Sequence, residues 1–301
     1  MMKLLAHFLL MLTALIWGVS FVFQTTAMET LGPYGFTFWR FLAGALAILP
    51  LAIWEARKVS LAGLVRDKGR GKSRSLALPV LMLGVLMATG SLLQQISLGI
   101  TSVANTAFLT TLYVPLVPLM GLVIFRDNIS LYRWLAVLVF MAGSWLMSGA
   151  SPEDAVFGDV LVVLGAFFWA GHIMLVGWCV RETAAPFQLA FAQSAITTML
   201  CLMIMILTEP FSLAAMVPAL PEILFTGVLS IGAGFTFQLL AQKRASNAAA
   251  AIILSLEGVF AALAGWMILG QAMASIAILG AFLILVAVLI IELTPVNTTA
   301  P

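Results

Sequence analysis

Two ionisable residues of this 301-residue chain, Arg40 and Glu257, lie deep in apolar stretches. A charge near the middle of a bilayer costs at least about 2.5–3.5 kcal/mol on insertion scales. Each must therefore be paired, hydrated by a cavity or, for Glu257, protonated. Three roles are open to Glu257: binding an amine or cationic solute, carrying a coupling proton, or bonding only to neighbouring helices. Arg40 sits toward one end of its stretch and reads as a structural or gating anchor. A direct Arg40–Glu257 pair has no support in the spacing. His172, alone on its stretch, is either a helix-bonding group or a proton relay.

Other chemistries find no support. Cys179 and Cys201 both lie in apolar runs, and with only two histidines there is no metal-ligand motif. Gly71-Lys72-Ser73 resembles the end of a phosphate-binding loop, but Arg66 stands where the first glycine is required. No Ser-His-Asp arrangement, G-x-S-x-G turn or carboxylate pair on one buried helix is visible. No cofactor, metal or enzymatic activity is expected.

The neutral polar residues form stripes. Thr13, Trp17, Ser20 and Gln24 share one helix face, as do Gly165, Trp169, His172 and Val176. Gly84, Ala88, Ser91 and Gln95 repeat the spacing. Asn105 stands beside a Thr106, Thr110, Tyr113 stripe, and Gly227, Gly234 and Gln238 mark another stretch. Without water in hydrocarbon, such groups must face protein or a hydrated cavity. Singly, a Ser or Thr of this kind bonds helix to helix. Aligned stripes point to a cavity with Trp17, Ser20, Gln24, Gln95, Asn105, Tyr113, Trp169, His172, Gln238 and Glu257 on its wall. Flat indoles there suit an apolar, planar or cationic solute.

These residues need helices to position them. Apolar residues make up 63% of the chain and charged ones 9%, against roughly 25% in soluble domains. The mean hydropathy is +1.14. A soluble surface cannot be built from this, and the chain is too apolar for disorder. Ten stretches are long enough to span a bilayer: 4–25, 34–53, 76–97, 103–125, 131–149, 159–180, 187–207, 221–242, 247–269 and 274–293. The first is too long for a signal-peptide core. The fold class is an all-α membrane protein. The fifth and tenth spans, nearly free of polar side chains at depth, belong outside the cavity.

Charge placement supports the count. Alternating the spans from an inside N-terminus puts Lys3, the seven basic residues of 54–75, Arg126, Arg133, Arg181, Lys243 and Arg244 on one face. That is thirteen of fourteen basic residues. Glu29, Glu153, Asp154, Asp159, Glu209 and Glu222 fall on the other. Basic residues stay on the cytoplasmic side, so both termini are expected there.

The halves resemble each other. Shifting 102–127 by 144 residues lays it over 246–271 with seven identities, including Gly121 over Gly265. A shift of 152 puts Trp17 over Trp169; one residue more puts Pro33 over Pro186. The expected organisation is two five-span repeats, 1–150 and 151–301, in one membrane domain. Five is odd, so the second repeat enters from the opposite side. Inverted repeats are common in secondary transporters, with sites near the midplane.

Several of these strings are similar to the EamA type of the drug/metabolite transporter superfamily over nearly the whole chain. In the first half they are Trp17-Gly18, Arg40 and the run from Thr101 to Tyr113. In the second they are Gly158-Asp159, Trp169, Gln193 and the run from Ser255 to Ala262. The family usually has Pro where Gly258 stands and an acidic residue where Gln271 stands. The resemblance implies a ten-helix carrier of the bacterial inner membrane with a central cavity, often exporting amino acids, metabolites or toxic organic compounds. The partners implied are a small-molecule substrate, the lipid bilayer and, as one option, a coupling proton. Nucleic acid is not expected; monomer and homodimer are both open. A membrane sensor or assembly subunit without transport, or an enzyme on lipid-linked substrates, are the rival readings.

Overall fold

The computed structural model describes residues 2–59, 76–101, 103–125, 130–148, 157–270 and 275–293. In chain order its helices are α1 (Met2–Ala27), α2 (Pro33–Ala56), α3 (Ala77–Leu98), α4 (Val103–Thr110), α5 (Tyr113–Met120), α6 (Leu131–Ser148), α7 (Phe157–Glu182), α8 (Pro186–Thr208), α9 (Leu213–Met216), α10 (Leu220–Leu224), α11 (Phe235–Gln242), α12 (Asn247–Leu254), α13 (Leu256–Leu269) and α14 (Ser275–Leu293). Two π-helical segments, Gly121–Phe125 and Phe225–Gly234, complete the set. No strand occurs among the described residues. Helices satisfy their own backbone groups, which hydrocarbon demands.

Eight helical stretches are long and apolar enough to cross a membrane, and two more, Leu131–Leu146 and Ile278–Ile290, are shorter. The sequence led us to expect ten spans of similar length. The two short ones adjoin 149–156 and 271–274, which lie outside the described residues. So do the basic positions 66, 68, 70, 72, 74 and 126, the G-K-S string and Gln271.

Three stretches read as single spans are interrupted. The fourth breaks between α4 and α5, and the ninth between α12 and α13. At each break a hydroxyl turns back on its own helix: Thr111 Oγ1 donates to the Phe108 carbonyl and Ser255 Oγ to the Ile252 carbonyl, both at 2.6 Å. Such bonds bend helices. The tighter turns follow, Val114 N–H to Thr111 O at 2.9 Å and Gly258 N–H to Ser255 O at 3.1 Å. Every one of these second-half atoms lies 144 positions after its first-half counterpart. Gly258, where the related pattern carries proline, does not prevent the break; Ser255 supplies it.

The eighth stretch is interrupted by the π segment. Gly84 on α3 meets Ile196 and the Gln193 carbonyl of α8, while Gly227 meets Ala43 and the Arg40 carbonyl of α2. Trp169 lies over Gly90, and Trp17 over Gly234. Gly84 to Gly90 is six residues; Gly227 to Gly234 is seven. The second half thus accommodates one extra residue, which is how a π-bulge arises within a helix.

Packing also recurs in pairs. α2 lies along α8 and α6 along α14. α1 packs on α13 and on 225–242; α7 packs on α4, α5 and α3. Buried side chains such as Leu10, Phe140, Ile252 and Val114 make a core between these layers. One close approach is α1 on α13. A methyl group at Gly18 would stand 2.5 Å from Phe260 Cβ and 2.7 Å from the Glu257 carbonyl oxygen. We therefore expect Gly18→Ala to lower stability by about 1–3 kcal/mol, since both obstacles are rigid. Thermal unfolding in detergent checks this; an unchanged midpoint contradicts the packing.

Candidate functional site

A cavity lies where the broken helices meet the π segment. α1 contributes Trp17, Phe21 and Gln24; α2, Arg40; α3, Ser91 and Gln94. Thr110 and Tyr113 flank the α4–α5 break, and α7 adds Trp169, His172 and Ile173. Ser230, Ile231, Phe235, Gln238 and Glu257 complete the wall. Room for water-sized spheres is about 50 Å³, enough for a few waters. This conformation is narrower than a bound organic solute requires.

Each of the two ionisable groups is bonded to a neutral partner. Tyr113 Oη donates to Glu257 Oε1 at 2.9 Å. Arg40 donates through one terminal nitrogen to Gln24 Oε1 at 2.5 Å, with its guanidinium 5.5 Å and 5.4 Å from the Phe36 and Phe41 ring centres. Arg40 and Glu257 are each only 4% exposed, so these neutral partners replace solvent.

An aromatic cluster lines the same cavity. The Phe235 ring centre is 4.7 Å from that of Trp17 and 6.0 Å from that of Trp169, nearly parallel to the latter. His172 stands edge-on to both Trp169 and Phe235. Trp17 Nε1 donates to the Ser230 carbonyl at 3.1 Å, inside the π segment. His172 Nε2 meets Gln193 Oε1 at 3.1 Å. Among the described residues, several buried wall atoms have no hydrogen-bond partner: Arg40 Nε, Thr110 Oγ1, Trp169 Nε1, His172 Nδ1 and both amide atoms of Gln238. Buried polar atoms are normally satisfied, so donors and acceptors converging on one cavity mark a place for a polar guest or water.

The structure brings Trp17, Gln24, Tyr113, Trp169, His172, Gln238 and Glu257 of the expected wall together on one cavity, and Arg40, expected as an anchor, joins them. Two expected wall residues do not. Ser20 turns back to the Ile16 carbonyl at 2.7 Å. Gln95 donates to the Gln24 carbonyl at 3.2 Å, sealing α3 to α1. The Asn105 side chain lies outside the described residues. Gln94, not Gln95, faces the cavity. Extending the 144-residue shift would have found it, because it places Gln94 over Gln238. Phe235 carries no sequence signal that separates it from a lipid-facing phenylalanine. The spans expected to line the cavity all do, with α2 joining them through Arg40.

A model of the EamA-like transporter family matches residues 4–149 and again 156–293. The chain belongs to the EamA-like transporter family. A protein of Archaeoglobus fulgidus named "Uncharacterized transporter" is 30% identical over 300 residues, 97% of this chain and 87% of the relative. One of the same name from Methanothermobacter thermautotrophicus is 25% identical over 200 residues, 64% of this chain and 58% of the relative. A solved structure described only as the crystal structure of a protein superposes with TM-score 0.72 at 16% identity, covering 93% of this chain and 94% of its own. That likeness concerns the fold. EamA membership and the apolar helices make this a multi-pass membrane protein of a transporter family.

Cysteine substitution tests whether the cavity is wet. In a background lacking Cys179 and Cys201, both buried, positions 17, 24 and 94 should react with a membrane-impermeant thiol reagent. Positions 20, 95, 284 and 288, buried between helices, should not. Equal reaction in both groups removes the cavity.

Proposed function

We propose that the chain is a secondary transporter that exports small zwitterionic metabolites of the amino-acid kind by alternating access. One observation carries this. A single cavity presents a guanidinium and a carboxyl, each held by a neutral partner rather than by the other group, with flat rings on the same wall. A solute carrying both a carboxylate and an ammonium complements that arrangement. Arg40 takes the carboxylate through charge-assisted hydrogen bonds, and Glu257 takes the ammonium. Trp17, Phe235 and Trp169 face whatever lies between. A hydrophobic cation would use Glu257 and the indoles alone.

The paired contacts support an inverted repeat of ten spans, with repeats 1–150 and 151–301. Two half-structures of this kind can exchange inward-open and outward-open forms around a midplane site. The basic excess supports cytoplasmic termini in a bacterial inner membrane. Glu257 is the coupling-proton candidate. Its bond to Tyr113 must loosen when an ammonium arrives, which links occupancy of the site to the two broken spans.

Purified protein in liposomes, screened with amino acids and hydrophobic cations, with and without a proton gradient, tests the reading. Amino-acid flux is expected. Arg40→Gln should raise KM for amino acids by about tenfold or more, the loss of one charged hydrogen bond, while leaving cations unaffected. Glu257→Gln should abolish gradient dependence. Unchanged dependence excludes it as the coupling group, and no flux of any solute favours a sensor or assembly role.

A further inference from the structure

α2 and α8 are joined at both ends by the same device. Each begins with proline at its first helical position, after a residue whose side chain caps nothing. The next two backbone N–H groups lack intrahelical acceptors. At α2 these are Tyr34 and Gly35, which donate to Glu209 Oε1 and Oε2 at 3.2 Å and 2.7 Å. Glu209 is the residue that ends α8. At α8 they are Phe187 and Gln188, and the acceptor is Glu55 in the last turn of α2, with Gln188 N–H to Glu55 Oε2 at 2.9 Å. Gln188 Nε2 adds a bond to the Val59 carbonyl at 2.7 Å.

Each helix therefore supplies the carboxylate that caps the other. The N-terminal end of a helix attracts negative charge, so both contacts are electrostatically favourable. Space is reserved for one of them: side chains at Gly32 or Gly35 would run into the Glu209 carboxylate. Lys243 lies near enough to act on Glu55. The two caps sit at opposite ends of the pair, hence at opposite faces of the membrane.

We propose that Glu209 and Glu55 are positioning residues that clamp α2 and α8 into one post, which stays intact while other helices move. The post carries Arg40 on α2 and Gln193 on α8, which the 153-residue shift places over each other. Arg40 reaches Gln24 on α1, and Gln193 reaches His172 on α7. The clamps set the height of both polar contacts against the cavity. A bundle clamped here cannot open by parting α2 from α8 at either face. It must move α1, α7 and the broken spans around them. The consequence for transport rests on the carrier reading above; the clamp itself does not.

Two spin-label pairs in the full-length, cysteine-free protein in liposomes test this. Thr30 and Ala214 report on one end; Arg57 and Ala184 report on the other, and all four positions are exposed. Pulsed electron resonance should give a single narrow distance for each pair. Glu209→Ala should lengthen and broaden the first distribution and leave the second unchanged; Glu55→Ala should do the reverse. Glu209→Gln and Glu55→Gln, which keep one acceptor oxygen and fold where an alanine variant fails, should give smaller shifts of the same kind. Distributions unmoved by any of these variants overturn the clamp. In the amino-acid uptake assay, Glu209→Ala should raise KM more than it lowers the maximal rate. A protein with no flux in any form sinks the carrier reading, and the distance measurements still decide the clamp.

Discussion

A carboxyl group in the middle of an apolar bundle must be held by another protein group, and the rest of this structure is arranged around how that is done. Glu257 is held by Tyr113, its own counterpart from the other half of the chain. Two positions related by a two-fold operation can touch only near the axis of that operation. On the inverted-repeat reading proposed above, the hydrogen bond between them lies near that axis. The helices that meet there are the two broken ones, and the cavity opens beside their breaks.

The breaks follow from the same constraint. A helix interrupted at depth frees backbone groups that hydrocarbon cannot satisfy. Thr111 and Ser255 meet this locally by bonding carbonyls of the preceding turn. Tyr113 and Glu257 then fall at the starts of the half-helices α5 and α13, with Glu257 in the first turn of α13, where the helix dipole favours a carboxylate. Trp17 reaches a carbonyl of the π segment, where the extra residue distorts the ladder. The irregular backbone at the two breaks and around Ser230 adjoins the cavity, whereas the π segment at Gly121–Phe125 leaves Leu122, Val123 and Ile124 exposed.

Most of the architecture was legible in the sequence because hydrocarbon is a strict solvent. It forces apolar runs, excludes charge from them and sorts Lys and Arg to one face. Polar stripes are legible for the same reason, because hydrocarbon leaves such groups only protein or a cavity to face. What stayed hidden depended on a single step of about 100° around a helix. Gln94 and Gln95 are adjacent, and only packing decides which faces the cavity and which seals α3 to α1. Ser20 lay on the right stripe but had a carbonyl of its own helix within reach. The interruptions were hidden because a threonine or serine in a helix signals a bend only when its hydroxyl finds the preceding turn. Phe235 was hidden because an aromatic ring reads the same against lipid as against another ring.

The two halves share a skeleton but not a chemistry. Glycines, helix breaks and carboxylate caps recur in pairs, and Gln94 stands over Gln238 as Trp17 stands over Trp169. Elsewhere the counterparts have diverged. Arg40 corresponds to Gln193, Ser20 to His172, Ser91 to Phe235 and Tyr113 to Glu257. Each of these pairs places charge, a titratable ring or aromatic bulk in one half and a smaller or neutral group in the other. Under the alternating access proposed above, a symmetric skeleton gives the two end states similar energies, because exchanging the halves exchanges the states. A symmetric cavity would also bind its solute alike from both sides. The divergent pairs break that equivalence where the solute would lie, while leaving intact the contacts that make the two states accessible. On the transport reading proposed above, the direction of transport and the nature of the solute are carried by these few positions, and the fold by the many that remained alike.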